Sequence, residues 1–240
     1  MQRLRYFTIT GLARYPSLAF PLARLRGEGV LVDRATDLVV ESFPRCASSF
    51  ALAAFTTAQE PDQPRVAHHT HTPANVLKAI RLGVPALVLI REPEDVIVSN
   101  MIRHPDRTPN DVLRGFVRFY EPLLPHRRGF VIATFDEVVG GGMGLVIRRL
   151  NAQAATTFVE FEPTDENVAR CLREIDEHWR YRRGGDESLE RIVPRPSNVR
   201  DGMKASLHDR YRREASRALV ARADHLYGVL AGSRAGAAGS

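Results

Sequence analysis
The 240-residue chain is short of several things, and each shortage excludes a class of protein. It has two cysteines, Cys46 and Cys171, too few for a disulfide scaffold or a thiolate metal cluster, and in keeping with a reducing compartment. No run approaches the ~20 apolar residues that a membrane helix needs. The start of the chain has no clean apolar stretch ahead of a small-residue cleavage site, so no signal peptide is expected. A Gly-x-x-x-x-Gly-Lys-Ser/Thr loop is absent. The Gly140-Gly141-Gly142 run has no Lys-Ser/Thr after it and reads as a flexible connector. Lysine occurs only at 78 and 204, so nearly all of the 34 basic residues are Arg. Arg suits planar, bidentate contact with phosphate or sulfate, although a GC-rich genome would raise its count equally. No aromatic and basic interleaving is present, which argues against a nucleic-acid partner.

What is present supports one domain. Hydrophobic residues make up 44% of the chain, enough for a sizeable core, and the net charge is +6. Residues 1–30 form a basic, amphipathic segment interrupted by Pro16 and Pro21, which either packs on the domain or touches an anionic membrane surface. The domain proper spans 31–230, and 231–240 read as a Gly/Ala/Ser tail. Strands are expected at 37–41, 85–90 and 129–135. Residues 60–67 read as a loop. Helices are expected from Ser48, over 73–82 with Gly83 as C-cap, over 94–102 with Pro93 at its start, and through Tyr120 from a cap at Asn110 or Asp111. Further helices are expected over 143–158, over 164–181 capped by Thr164, and over 206–230 with an interruption. Strands alternating with helices over ~100 residues imply an α/β fold: a single three-layer domain with a mostly parallel sheet.

Three places on this frame suit an anion. A strand that stops at the turn Phe43-Pro44-Arg45-Cys46 and feeds a helix at Ser48-Ser49 offers backbone N–H groups, a helix dipole, a cation and two hydroxyls. Arg91 ends a second strand, with Ser99 on the helix that follows; an ion pair with a helix carboxylate such as Asp95 is the other reading of Arg91. The third is the irregular stretch 198–202, with Arg200 and Gly202. Ligands of such sheets bind outside the C-terminal strand ends, where the first two lie. His68, His69 and His71 precede the second strand. With no carboxylate or Cys close in sequence they do not read as a metal site.

These residues resemble the sulfotransferases that use 3'-phosphoadenosine 5'-phosphosulfate (PAPS). Pro44-Arg45-Cys46-Ala47-Ser48-Ser49-Phe50 is similar to the family's Pro-Lys-Ser-Gly-Thr-Thr-Trp loop. Arg91-Glu-Pro-Glu-Asp-Val-Ile-Val-Ser99 is similar to its Arg-Asn-Pro-x-Asp-x-x-x-Ser segment. His69-Thr70-His71-Thr72-Pro73 stands where Lys-x-His-x-Pro is usual, and Arg200-Asp201-Gly202 resembles its late Arg-x-Gly. Sulfotransferase-like proteins encoded with bacterial cell-surface polysaccharide genes look closer still. The resemblance implies a P-loop-like phosphosulfate-binding loop. Arg45, Cys46, Ala47, Ser48, Ser49 and Phe50 would hold the 5' end of PAPS, and Arg91, Ser99, Arg200 and Gly202 the 3' phosphate. His71 would be the general base, with His69 and Arg45 acting on the transferring group and leaving phosphate, and no metal taking part.

Ala47 stands where Gly is usual, and a positive φ there would cost about 1 kcal/mol. The acceptor implied is a hydroxyl, on a saccharide or lipid-linked glycan, with the protein in the cytoplasm or peripheral at the inner membrane face. Two other readings stay open at this point. One is a catalytically degenerate binding protein of envelope polysaccharide assembly, and the other a P-loop nucleotide kinase.

Overall fold
A computed structural model of the protein describes residues 20–21, 29–183 and 198–232, with side chains for 20–21, 29–178 and 202–232. Strands β1 (Leu38–Ser42) and β3 (Ala86–Ile90) are buried along their whole length. Near-continuous apolar runs of this kind need cover on both faces, which a parallel sheet provides. β1 and β3 pair in parallel, with Val40 opposite Leu87. β4 (Val131–Thr134) adds beside β3 and β2 (Val66–His68) beside β1, giving the all-parallel order β2-β1-β3-β4. Residues 66–67 were expected in a loop. Three residues carry too little pattern to announce a strand, and β2 exists through its pairing. Its outer side is taken up by Val30, which exchanges hydrogen bonds of 2.8 and 3.1 Å with His68.

Helix α1 (Ser48–Ala58) follows β1, α2 (Pro73–Leu82) follows β2, and α3 (Pro93–Arg103) follows β3. Thr72 caps α2 by accepting from the Ala74 N–H at 3.1 Å, and Gly83 ends it at φ 70°. Both α2 and α3 open on the proline that the sequence places there. In α4 (Pro109–Tyr120) the cap is Thr108, not Asn110 or Asp111: Thr108 and Asp111 form a reciprocal capping box, worth about 1 kcal/mol.

A 3-10 stretch, Glu121–Gly129, leads to β4. The glycine run lies in a wide turn, Val138–Gly142, with Gly141 at φ 90°. α5 (Met143–Ala154) ends four residues sooner than expected, because Asn151 turns to accept from the Phe158 N–H at 2.9 Å.

α6 (Asp165–Arg183) begins after Thr164, as expected. The C-terminal region is two helices, α7 (Asn198–Glu214) and α8 (Arg217–Gly232). Asn110 holds the break between them: its Nδ2 donates to Glu214 O at 3.0 Å and its Oδ1 accepts from Ser216 N at 2.8 Å. Residues 198–202 are the first turn of α7, which corrects the irregular stretch expected there. Packing holds α7 in place: Tyr211 is buried and His208 Nδ1 lies 2.7 Å from a Glu94 carboxylate oxygen. The buried apolar residues form one core cluster, filled by Phe55, Phe116, Tyr120, Met101 and the strand residues. Residues 1–19, 22–28 and 233–240, which carry most of the basic segment and the tail, lie outside the described residues.

Candidate functional site
The loop between β1 and α1 turns in five residues. Phe43 and Cys46 are buried, Arg45 is at φ 80° and Ala47 at φ 67°. Ala47 occupies the N-cap of α1 and has no side chain to cap with. The first-turn N–H groups of Ser48, Ser49 and Phe50 are therefore presented at the strand end, the arrangement that holds a phosphate or sulfate. Tyr120, on α4, is the pillar beneath. Its hydroxyl donates to Leu89 O at 2.6 Å and accepts from Phe43 N at 3.4 Å, with Cys46 Sγ 3.5 Å away. This ties the loop to the end of β3. Burial pushes the Cys46 thiol up to about 12 and the Tyr120 phenol well above its usual range, so both are structural here.

Arg91 leaves the end of β3 with its guanidinium 3.9 Å from the centre of the Phe135 ring, at the end of β4. It pairs with Asp95 at 3.4 Å, a long bridge to a half-exposed carboxylate, and its buried Nε has no hydrogen-bond partner among the described residues. The two motifs meet: Arg45 Nε donates to Ser99 Oγ at 3.0 Å, across 54 residues of sequence. Phe50 lies half-buried against the core.

His69 and His71 lie in a second loop, between β2 and α2, with His68 at the end of β2. His69 Nε2 lies 3.1 Å from Ser49 Oγ on α1, and its Nδ1 lies 2.8 Å from His68 Nδ1. His71 Nδ1 lies 2.9 Å from Ser42 O at the end of β1. A carbonyl only accepts, so Nδ1 carries the proton and neutral His71 has its lone pair on Nε2. The His69 and His71 rings stand 5.8 Å apart.

Beneath them Glu41 is fully buried. Its Oε1 accepts from Thr70 N (3.0 Å), Thr70 Oγ1 (2.6 Å) and Asn75 Nδ2 (3.0 Å), and its Oε2 from His71 N (2.9 Å). Burial raises its carboxyl to about 7, and the four hydrogen bonds oppose that rise.

Five described non-glycine residues have positive φ, and four of them are Arg45, Ala47, His69 and His71. Each left-handed residue costs about 1 kcal/mol, and such strain persists where the surroundings over-determine it. The structure thus brings Arg45, Cys46, Ala47, Ser48, Ser49, Phe50, Arg91, Ser99, His69 and His71 to one end of the sheet. Gly202 is exposed on the first turn of α7, and the Arg200 side chain lies outside the described residues.

Sequence reasoning missed Glu41, Asn75 and Tyr120. A charged residue inside the run Leu-Val-Val-Glu was the one local signal, since a buried charge demands partners. Among the described residues no group of three or more His, Cys, Asp or Glu is arranged to hold a metal ion, and no helix is long and apolar enough to cross a membrane.

No protein-family model matches the chain, and no curated protein matches it. Among solved structures it is similar to the crystal structure of a mouse sulfotransferase complexed with PAP. The identity is 10%, the match covers 83% of this chain and 85% of that one, and the TM-score is 0.43.

Proposed function
We propose that the protein is a sulfotransferase that moves the sulfuryl group of PAPS to an acceptor hydroxyl. The observation that carries the reading is the meeting of two anion-binding motifs through the Arg45–Ser99 bond, beside a histidine whose tautomer leaves Nε2 basic. The donor set fits the nucleotide. An uncapped helix N-terminus, Arg45, Ser48 and Ser49 match a phosphosulfate, and Arg91, whose buried Nε has no partner among the described residues, matches a second phosphate together with Ser99. Arg200 and Gly202 complete that second subsite in the proposal.

Sulfuryl transfer asks the protein for positioning, charge neutralisation and one proton. His71 Nε2 takes the acceptor's proton as its oxygen forms the new O–S bond. The S–O bond to the 5' phosphate breaks, and Arg45 with the α1 N-terminus receives the charge left on 3'-phosphoadenosine 5'-phosphate. His69, in reach of Ser49, donates to the transferring group.

The acceptor we propose is an anionic saccharide or lipid-linked glycan. Arg103, His104 and Arg107, half-buried on and after the last turn of α3, follow Ser99 and support it. A cytoplasmic enzyme working at the inner membrane face would meet such an acceptor.

The test is a titration with 3'-phosphoadenosine 5'-phosphate, 5'-AMP and ATP, followed by a transfer assay with PAPS. The bisphosphate should bind at micromolar or tighter Kd, 5'-AMP much more weakly, and Arg91→Ala should erase the difference. Equal affinities in the wild type would sink the 3'-phosphate assignment. His71→Ala should abolish transfer and leave nucleotide binding intact; near-wild-type turnover would remove its role as base.

A further inference from the structure
Glu41 is a costly residue where it stands. It lies inside an all-buried strand between Val40 and Ser42, and taking a carboxylate out of water carries a penalty that its partners must offset. An apolar side chain would serve the strand better. Three of its four hydrogen bonds go to two consecutive residues, Thr70 and His71, and the fourth to Asn75 in the first turn of α2. Asn75 in turn accepts from Val32 N at 2.9 Å and donates to Val30 O at 3.3 Å, so the same network reaches the segment outside β2. The gripped residues sit where the backbone is least content, with His69 at φ 56° and His71 at φ 50° on either side of Thr70. Glu41 is not itself a candidate base, because it is fully buried and enclosed by four donors.

We infer that Glu41 is the positioning residue of the histidine loop. Its carboxyl holds the Thr70 and His71 backbone in the left-handed bend that puts His71 Nδ1–H on Ser42 O and leaves Nε2 as the basic atom. This rests on the proposed role of His71 as base, and deepens it. Glu41 touches no reacting atom and acts through the loop alone.

The test uses the full chain labelled with 15N-histidine, the His71 signals being identified by their loss in His71→Gln. In the wild type, neutral His71 should show the Nδ1–H tautomer. In Thr70→Val, which deletes the 2.6 Å bond while keeping the backbone, and in Glu41→Gln, the population should move to Nε2–H. Transfer turnover should then fall about 10- to 100-fold, as small misplacements of a catalytic group do, with the Kd for 3'-phosphoadenosine 5'-phosphate unchanged. Thr70→Ser, which keeps the hydroxyl, should restore both tautomer and turnover.

If Glu41→Gln does not fold, the Thr70 pair decides the matter. A folded Thr70→Val with wild-type tautomer and turnover would overturn the inference. A tautomer shift in a protein that transfers no sulfuryl group even as wild type would overturn the proposed function and leave the positioning role standing.

Discussion

Glu41 should make the protein lose stability as pH rises through neutrality, against the usual behaviour of carboxylates. The folded carboxyl titrates at about 7 where its ordinary value is 4.5, because burial penalises the ionised form. The folded state therefore holds a proton that the unfolded state releases between those values. The contribution is fully present below about pH 4.5 and is lost as pH passes through about 7. At ~1.36 kcal/mol per pH unit the separation is worth about 3 kcal/mol. The ordinary case, an Asp or Glu with a depressed value, has the opposite slope. With a urea dependence of ~3 kcal/mol per molar for a chain of this size, the unfolding midpoint should fall by about 1 M between about pH 5 and about pH 8.

Groups other than Glu41 also change charge across a pH range this wide, so the informative quantity is the difference between wild type and Glu41→Gln. The variant should be less stable at low pH, because its amide NH2 would face the His71 N–H, a mismatch worth ~1–3 kcal/mol. It should also lack this part of the slope. A Glu41→Gln protein with the wild-type pH dependence would show that Glu41 does not carry the proton, and the account of its burial would fall.

Three other perturbations test the loops. Ala47→Gly should raise stability by roughly 0.5 kcal/mol, since relief of ~1 kcal/mol of left-handed strain outweighs the added unfolded-chain entropy. A thermal scan should show Tm up by about 1–2 °C, and a lower Tm would mean the strain is not stored at Ala47. Cys46, with its thiol near 12 and no exposure, should resist iodoacetamide in the native protein and react only in denaturant. Rapid native labelling would contradict the packing around Tyr120. Gly29→Ala would place a methyl 2.5 Å from His68 O and 2.6 Å from His69 C and Thr70 N, at a φ of 73°. It should cost ~1–3 kcal/mol in urea unfolding and reduce transfer more than nucleotide affinity; equal losses in both would argue that the two loops do not act separately.

The readable parts of this chain are those where neighbours in sequence settle the matter. Pro73 and Gly83 mark α2 to the residue, and the Arg91–Ser99 spacing puts a strand-end cation and a helix hydroxyl at one end of the sheet. Ala47 is legible as a point of strain once the turn is seen to need a left-handed residue. What escaped depends on distant partners. Tyr120 meets the loop across 77 residues and Glu41 meets Asn75 across 34, and neither pairing leaves a mark in local pattern. The three residues of β2 become a strand only against β1 and Val30. Asn110, expected as a helix cap, instead bridges α7 and α8, a use visible only once those helices are in place.

The outer pairing of β2 has a consequence for how the molecule comes apart. Sheet edges with open hydrogen-bonding groups invite strand addition, and among the described residues this three-residue edge is closed by Val30. The histidine loop leaves the sheet at this narrow border and is tied to β1 only through side chains, whereas the loop of Arg45 and Ala47 grows directly from β1 in the interior of the sheet. Amides of His68 and Thr70 should exchange with solvent by a local opening that leaves β1, β3 and Tyr120 intact. Under mild denaturant the loop of His69 and His71 would then open while the loop between β1 and α1 stays in place.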